Sequence, residues 1–360
     1  MQATKKDKMK DQILVVGGYG AVGSIISAEL AKQYPHKVIV GGRDIEKALK
    51  LSAALQDTVT PKQFDVHQYK AYTGVLDAVR LVVMCIDQDN TYFIAWCLEA
   101  GIDYIDITAN QQLITQIEQL DALAQERQRT LILSVGLAPG ITNLLAQHSL
   151  QKTDAPQEID ILILLGLGEQ HGTAAYQWTM DNLNTRYRLN GVGGTVMVDS
   201  FTDPLKARVL GARTFYRFNF SDQHTLAKTL PVAAVNTRMA FDSRYFTRLV
   251  AFMRRLGMTG IFSAKKVQAL LIRLFKKVHF GTDVFAAKVI GSAKGAQKKE
   301  ASIQGYGEGK VTAYMATEMA LLLLQQALPH GVLHSHQAVK DIPAFLKRLS
   351  KYDSSIVLHL

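Results

Sequence analysis

Over the first third of the chain, short apolar runs alternate with segments of helical period. Residues 13–16, 37–40, 62–65, 81–86, 104–106 and 130–134 are apolar runs of strand length. Between them, 21–33, 44–55, 72–79, 91–100 and 110–128 read as helices. This rhythm predicts a parallel sheet covered on both faces by helices. Gly101, directly after Glu99-Ala100, stands where a helix C-cap glycine is expected.

After Gly136 the pattern changes. Residues 159–165 are apolar throughout, as in a strand buried on both faces, and 196–198 and 283–290 add further strand candidates. Residues 213–220 alternate, with Tyr216, Phe218 and Phe220 on one face and Arg213, Arg217 and Asn219 on the other, the pattern of a half-exposed antiparallel strand. Residues 293–306 read as a polar turn region, and 310–328 as a long helix rich in Ala, Met and Leu. A mixed or antiparallel sheet with helices on one side is expected here.

With 360 residues, two domains are expected. Two cysteines, Cys85 and Cys97, imply no disulfide framework and suit a reducing cytoplasm. The Lys-rich N-terminus has no apolar secretory stretch, and the apolar segment 319–328 is far short of the ~20 residues that span a bilayer. The net charge of +10 is concentrated: between Arg244 and Lys277 lie nine basic residues and no Asp or Glu. Two amphipathic helices with solvated basic faces explain this most simply, with an anionic substrate or an acidic membrane surface as sharper alternatives. Phe246, Phe252, Phe262 and Phe275 are spaced for packing rather than base stacking, so no nucleic-acid partner is expected.

The run Ile13-Leu14-Val15-Val16 ends directly in Gly17-Gly18-Tyr19-Gly20-Ala21-Val22-Gly23 and then enters a helical segment. Strand, Gly-x-Gly-x-x-Gly and helix in this order form a dinucleotide-binding turn. Gly18 would allow the bend, Gly20 the approach of a pyrophosphate, and Gly23 close packing of helix on sheet, with Ala21 and Val22 opening the helix. Sites for NAD usually end the second strand in Asp or Glu. Here Gly42 stands at that position and Arg43 follows, a small residue beside a guanidinium that could pair with a 2′-phosphate. NADP(H) is therefore favoured over NAD(H). Asp44 could instead only cap the next helix, leaving Arg43 a surface residue. Asp65 and Val66 close the third strand near an adenine. Cys85 and Ile86 close the fourth near a nicotinamide, with Cys85 read as a small buried residue rather than a nucleophile.

These residues resemble the saccharopine dehydrogenase and lysine dehydrogenase superfamily. The glycine turn matches its opening. Cys97-Leu98-Glu99-Ala100-Gly101-Ile102-Asp103-Tyr104-Ile105-Asp106 is similar to its helix ending at Ala-Gly before a strand ending in Asp, and Gly136-Leu137-Ala138-Pro139-Gly140 looks like its domain-junction signature. The segment Val311-Thr312-Ala313-Tyr314-Met315-Ala316, with Gly331-Val332, resembles its returning helix. The resemblance implies an α/β protein. A doubly wound Rossmann domain would span 1–140, an inserted α+β substrate and dimerisation domain 141–309, and a segment packing back on the first domain 310–360. It implies hydride transfer at the C–N bond of an amino acid or oxo acid substrate, and a homodimer. Thr108, Gly136, Pro139 and Gly140 join the expected cofactor contacts. The saccharopine-forming pattern is not kept at 165–172, where its proline is missing, so substrate identity does not carry over.

For the chemistry, Asp106 and His171 are the candidate catalytic residues: a carboxylate beside the nicotinamide and a proton donor in a glycine-flanked loop. Asp106 could equally be a strand-end carboxylate bonded to backbone. Arg186, Arg188, Arg213 and Arg217 are candidates to grip a substrate carboxylate. His330, His334 and His336 match no closed zinc spacing, so no metal is expected. The alternatives to an oxidoreductase are a non-catalytic NADP(H)-binding protein and a membrane-peripheral protein.

Overall fold

Leu14 and Val15 are fully buried in the first strand and set the centre of a sheet. The computed structural model describes residues 10–151, 157–169, 173–191, 194–277, 281–293 and 298–360. The chain forms two units, Met1–Gly136 with Thr312–Ala338, and Leu137–Val311 with Val339–Leu360. The strands of the first part are β1 (Gln12–Val16), β2 (Val38–Gly42), β3 (Val59–Gln63), β4 (Val79–Met84), β5 (Asp103–Asp106) and β6 (Thr130–Leu133). Those that follow are β7 (Glu158–Leu165), β8 (Arg186–Gly191), β9 (Gly194–Asp199), β10 (Leu205–Arg208), β11 (Ala212–Arg217), β12 (Ala234–Phe241), β13 (Val284–Ser292) and β14 (Lys299–Tyr306). β15 (Gly331–His334) and β16 (Val357–His359) close the chain.

In the first unit the sheet runs β15-β6-β5-β4-β1-β2-β3 with every pairing parallel. Parallel strands need crossovers, and helices supply them. One side of the sheet is packed by Phe64, Phe93, Tyr104 and the half-buried Tyr69 and Trp96. Pro61 has no N–H, and accordingly its strand, β3, is the sheet edge. That strand lies earlier than the expected 62–65, because Asp65 turns the chain by accepting from the His67 N–H at 3.0 Å. The expected helix 72–79 is a 3₁₀ segment Val66–Tyr72 followed by the short helix Thr73–Leu76. The expected strand 81–86 ends at Met84, with Cys85 and Ile86 beyond it.

The expected helix 110–128 is two helices, Gln111–Glu118 and Asp121–Glu126. No breaker residue marks the division. Asp121 explains it from outside the helix, since its Oδ1 accepts from the Val332 N–H of β15 at 2.8 Å.

The second unit is built around β7, in the order β10-β11-β12-β7-β13-β14-β16. β12 is parallel to β7 and β13 antiparallel, so the sheet is mixed. β8 and β9 form a separate ribbon. Two expectations are corrected. Lys299–Tyr306, expected in a polar turn, is strand β14. Its inward residues include Ala301 and Gly305, too small to register as an apolar alternation. In the 213–220 segment, β11 stops at Arg217, and within the strand the buried residue is Phe215, with Tyr216 half-buried. Phe218 and Phe220 lie past the strand, packed on Trp178 at 5.7 and 5.3 Å between ring centroids.

The architecture is thus α/β, a doubly wound parallel sheet joined to a unit with a mixed sheet. The helix Glu308–Gln325 returns the chain to the first unit, where β15 pairs with β6. Val339–Leu360 does not stay there: β16 pairs with β14 in the second unit. The expected segment 310–360 is therefore divided between the two. Among the described residues no helix is long and apolar enough to cross a membrane.

Candidate nucleotide site

The turn after β1 is shaped by backbone contacts. Gly17, not Gly18, takes the left-handed conformation, with φ +76°. A side chain at Gly17 would also strike Ile86 Cγ2 at 2.6 Å. Gly18 is required for packing instead: a Cβ there would lie 2.8 Å from the Val15 carbonyl oxygen and 3.0 Å from Ser27 Oγ. Ser27 donates to the Gly18 carbonyl at 3.1 Å, fixing the turn to the helix. At Gly23 a Cβ would lie 2.2 Å from the Gly17 carbonyl oxygen, so the helix Ala21–Gln33 rests directly on the turn.

Gly20 is the N-cap of that helix and offers no side chain to cap it. Gly20 is exposed, and a Cβ there would meet only the Gly17 carbonyl, at 3.1 Å. The N–H groups of Ala21, Val22 and Gly23 therefore open the helix beside a position with room for an anion. That is the arrangement a pyrophosphate needs.

At the end of β2, Gly42 does not leave an open space. A Cβ there would lie 2.3 Å from the ring of Tyr19, whose hydroxyl accepts from the Asp44 N–H at 3.0 Å. The expectation that Gly42 makes room for a 2′-phosphate is corrected: Gly42 makes room for Tyr19. Tyr19 is the site residue that sequence reasoning missed, although an aromatic side chain inside a glycine turn was its signal. Asp44 caps the helix Ile45–Ala54 by accepting from the Lys47 N–H, and pairs with the Lys47 ammonium at 3.1 Å. Arg43 is exposed, and among the described residues no carboxylate pairs with it. It is a free guanidinium just past the end of β2.

Asp65 is half-buried and Val66 buried beyond β3. Ile86 is 40% exposed above the glycine turn, an apolar surface available to a flat ring. Cys85 is half-buried, and burial, aided by the Asp106 charge, pushes its thiol well up. It is a neutral thiol and not a nucleophile.

Asp106 is only 1% exposed. Its Oδ1 accepts from the Thr108 N–H at 2.8 Å, and its Oδ2 from Gln88 Nε2 at 3.1 Å. Gln88 also donates to the Tyr104 hydroxyl at 2.9 Å. Burial pushes the Asp106 carboxyl up to about 7, with bonding to Thr108 opposing and the Asp87 charge adding. Asp106 therefore ties the segment after β4 to the segment after β5, and does not present itself to a substrate. Thr108 is itself buried, and its Oγ1 accepts from the Asn110 N–H at 3.1 Å.

Gly136 is buried at the end of the first unit. Pro139 and Gly140 belong to the second, with a cis Ala138-Pro139 bond and the Gly140 N–H donating to Asn143 Oδ1 at 2.8 Å. His171 lies outside the described residues. The four arginine candidates are not alike. Arg217 is paired with Asp203 at 2.9 Å, Arg213 is bonded to the Val209 and Asp242 carbonyls, and Arg186 and Arg188 are exposed on β8. His334 has both ring nitrogens engaged, Nδ1 with Ser134 Oγ at 2.9 Å and Nε2 with Glu118 at 3.3 Å. Among the described residues no cluster of potential ligands could hold a metal.

A dinucleotide turn on a parallel sheet, coupled to a unit with a mixed sheet, defines a dehydrogenase-type fold. Residues 13–132 match the family of the saccharopine dehydrogenase NADP binding domain. The whole fold is similar to apo saccharopine dehydrogenase (L-Glu forming) from Saccharomyces cerevisiae. The two are 13% identical, with 97% of this chain and 99% of that chain covered and a TM-score of 0.67. Weaker likenesses are to GenD2 from gentamicin A biosynthesis, solved with NAD (13% identity, 98% and 97% covered, TM-score 0.45). Another is to a meso-dapdh mutant from Clostridium tetani E88, solved with DAP (13%, 94% and 99%, 0.46). No curated protein matches the sequence. The chain carries a saccharopine dehydrogenase-type NADP-binding domain within a saccharopine dehydrogenase-like fold.

Proposed function

We propose that this protein is an NADP(H)-dependent oxidoreductase that transfers hydride at the C–N bond of an amine or imine derived from an amino acid. In this reading it acts as a cytoplasmic homodimer on an amino acid or oxo acid. The observation that carries the cofactor choice is Arg43, exposed and without a carboxylate partner directly after Gly42, the position where an NAD site would place an acid. The N–H groups of Ala21, Val22 and Gly23 would hold the pyrophosphate, and Arg43 with the Tyr19 edge the 2′-phosphate. Asp65 and Val66 would border the adenine, and Ile86 and Thr108 the nicotinamide. The bound nucleotide supplies or accepts the hydride.

Asp106 acts as a positioning residue, holding Gln88 and the Thr108 backbone. His171 remains the proposed proton donor, and Arg186 and Arg188 the proposed grips for a substrate carboxylate. The C–N chemistry itself is supported by the family match over residues 13–132 and the shared fold.

Equilibrium binding of NADPH and NADH tests the first step. NADPH is expected to bind at least tenfold tighter, about 1.4 kcal/mol. Arg43→Ala is expected to remove that preference while leaving NADH affinity unchanged. Equal affinities in the parent protein refute the Arg43 assignment. The burial of Asp106 favours one second reading, NADP(H) binding without turnover, and sustained NADPH oxidation with an oxo acid and an amine excludes it.

A further inference from the structure

The helix Arg244–Arg255 packs on the second unit through Thr247 and Val250, both buried, with Thr247 Oγ1 accepting from the Phe241 N–H at 3.0 Å. Its outward face is apolar. Tyr245, Leu249, Phe252 and Leu256 recur at one-turn spacing and are 85%, 53%, 59% and 55% exposed. Met258, Ile261 and Leu270 continue the exposed apolar series along the chain. Single exposed apolar residues are ordinary, but an ordered stripe of four large ones marks an interaction surface.

Charge decides what the surface fits. At 3.6 residues per turn, Arg244, Arg248 and Arg255 form one row along the edge of the stripe. A cleft of about 540 Å³ opens beside that row, lined by Lys206, Arg208, Arg213, Arg244 and Arg248 and by no acidic residue. Inward-facing arginines of this unit have carboxylate partners: Arg217 and Arg238 with Asp203, Arg254 with Asp199. Among the described residues none pairs with Lys206, Arg208, Arg244, Arg248 or Arg255. Burial and the neighbouring Arg244 push the Arg213 guanidinium down, with the Asp242 charge opposing.

A second copy of this chain does not suit the face, because a two-fold contact would set the same arginine rows against each other. Leu249 and Leu256 alternate with Tyr245 and Phe252 along the stripe, and such aliphatic side chains, unlike an aromatic platform, give bases nothing to stack on. We propose that this face docks the protein on an anionic phospholipid bilayer, with the Tyr245–Leu256 stripe at the headgroup–acyl boundary and the basic cleft receiving phosphate headgroups. An amphipathic helix lying in the membrane interface, with cations flanking its apolar face, uses both attractions at once.

Co-sedimentation of the full chain with vesicles tests this. Binding is expected to vesicles of phosphatidylcholine with about 30% phosphatidylglycerol, and to fall at least tenfold on pure phosphatidylcholine or in high salt. Leu249→Glu with Phe252→Glu is expected to abolish binding, and Arg244→Glu with Arg248→Glu to weaken it about fivefold per arginine or more. NADPH affinity and the circular dichroism spectrum of each variant, unchanged, show that the fold persists. Equal binding to neutral and anionic vesicles, or full binding by the Leu249/Phe252 variant, overturns the proposal. So does a parent dimer that the same variant converts to monomer, since the face would then belong to a second copy.

Discussion

The helices Ala21–Gln33 and Arg244–Arg255 both leave a buried strand, yet they are exposed in opposite ways. The first hides its flank, with Gly23 against the turn and Ile26 and Leu30 fully buried, and offers its uncapped N-terminus. The second is capped by Ser243, which accepts from the Phe246 N–H, and offers its flank. A site made of backbone N–H groups needs the absence of side chains, so it appears in sequence as glycine. A surface made of side chains needs periodicity, so it appears as a spacing of three and four. The two units are alike in a second respect. Each buries an aspartate, Asp106 in the first and Asp222 in the second, and burial pushes these carboxyls up to about 7 and about 6.

The largest test of this contrast is Gly23→Ala. The added methyl would lie 2.2 Å from the backbone oxygen of Gly17, which cannot swing aside as a side chain could. A loss of about 2–3 kcal/mol in stability is expected, with NADPH binding at least 100-fold weaker. An alanine variant that binds normally would break the assignment of the helix end as the anion site. Denaturant melts and nucleotide titration read both effects.

Next comes the pH arm. A carboxyl with a raised folded-state pKa keeps its proton in the native state after the unfolded chain has lost it. Stability therefore falls as pH rises from about 4 to about 7 for Asp106, and from about 4 to about 6 for Asp222. Each contributes a slope of up to about 1.4 kcal/mol per pH unit across its window. Asp106→Asn and Asp222→Asn should each flatten the corresponding part of the profile in denaturant melts. Unchanged profiles would mean that these carboxyls titrate normally.

The smallest effect sharpens the comparison of the helix ends. Ser243→Ala should cost about 1 kcal/mol, since the Phe246 N–H loses its acceptor. A thermal melt measures it, and NADPH affinity should not move. A change in NADPH affinity would mean that the two helices are not independent.

The first unit was largely legible because a parallel sheet buries its strands on both faces, and each strand then appears as an unbroken apolar run. The glycine turn was legible from its local spacing, down to the close packing at Gly23. What escaped there depended on distant partners. The helix break before Asp121 answers to Val332, more than 200 residues away in sequence, and Tyr19 fills the place assigned to empty space beside Gly42. In the second unit β14 escaped because alanine and glycine on its inner face carry little hydrophobic signal. Asp106 illustrates the limit for chemistry. Its place at a strand end could be read, but its burial and its bonds to Gln88 and Thr108 could not.

By itself, the sequence determined the order of strands and helices from β1 to β6, the glycine turn, the missing acid after β2 and the concentration of charge between Arg244 and Lys277. These follow from periodicity, glycine and charge, which act over a few residues. Only the tertiary structure decided that Arg217 is neutralised while Arg43 is free, that Asp106 is a buried tie, and that the apolar stripe of Arg244–Arg255 faces outward. Those depend on which side chains the folded sheets bring together, and on how much water the folding removes from each.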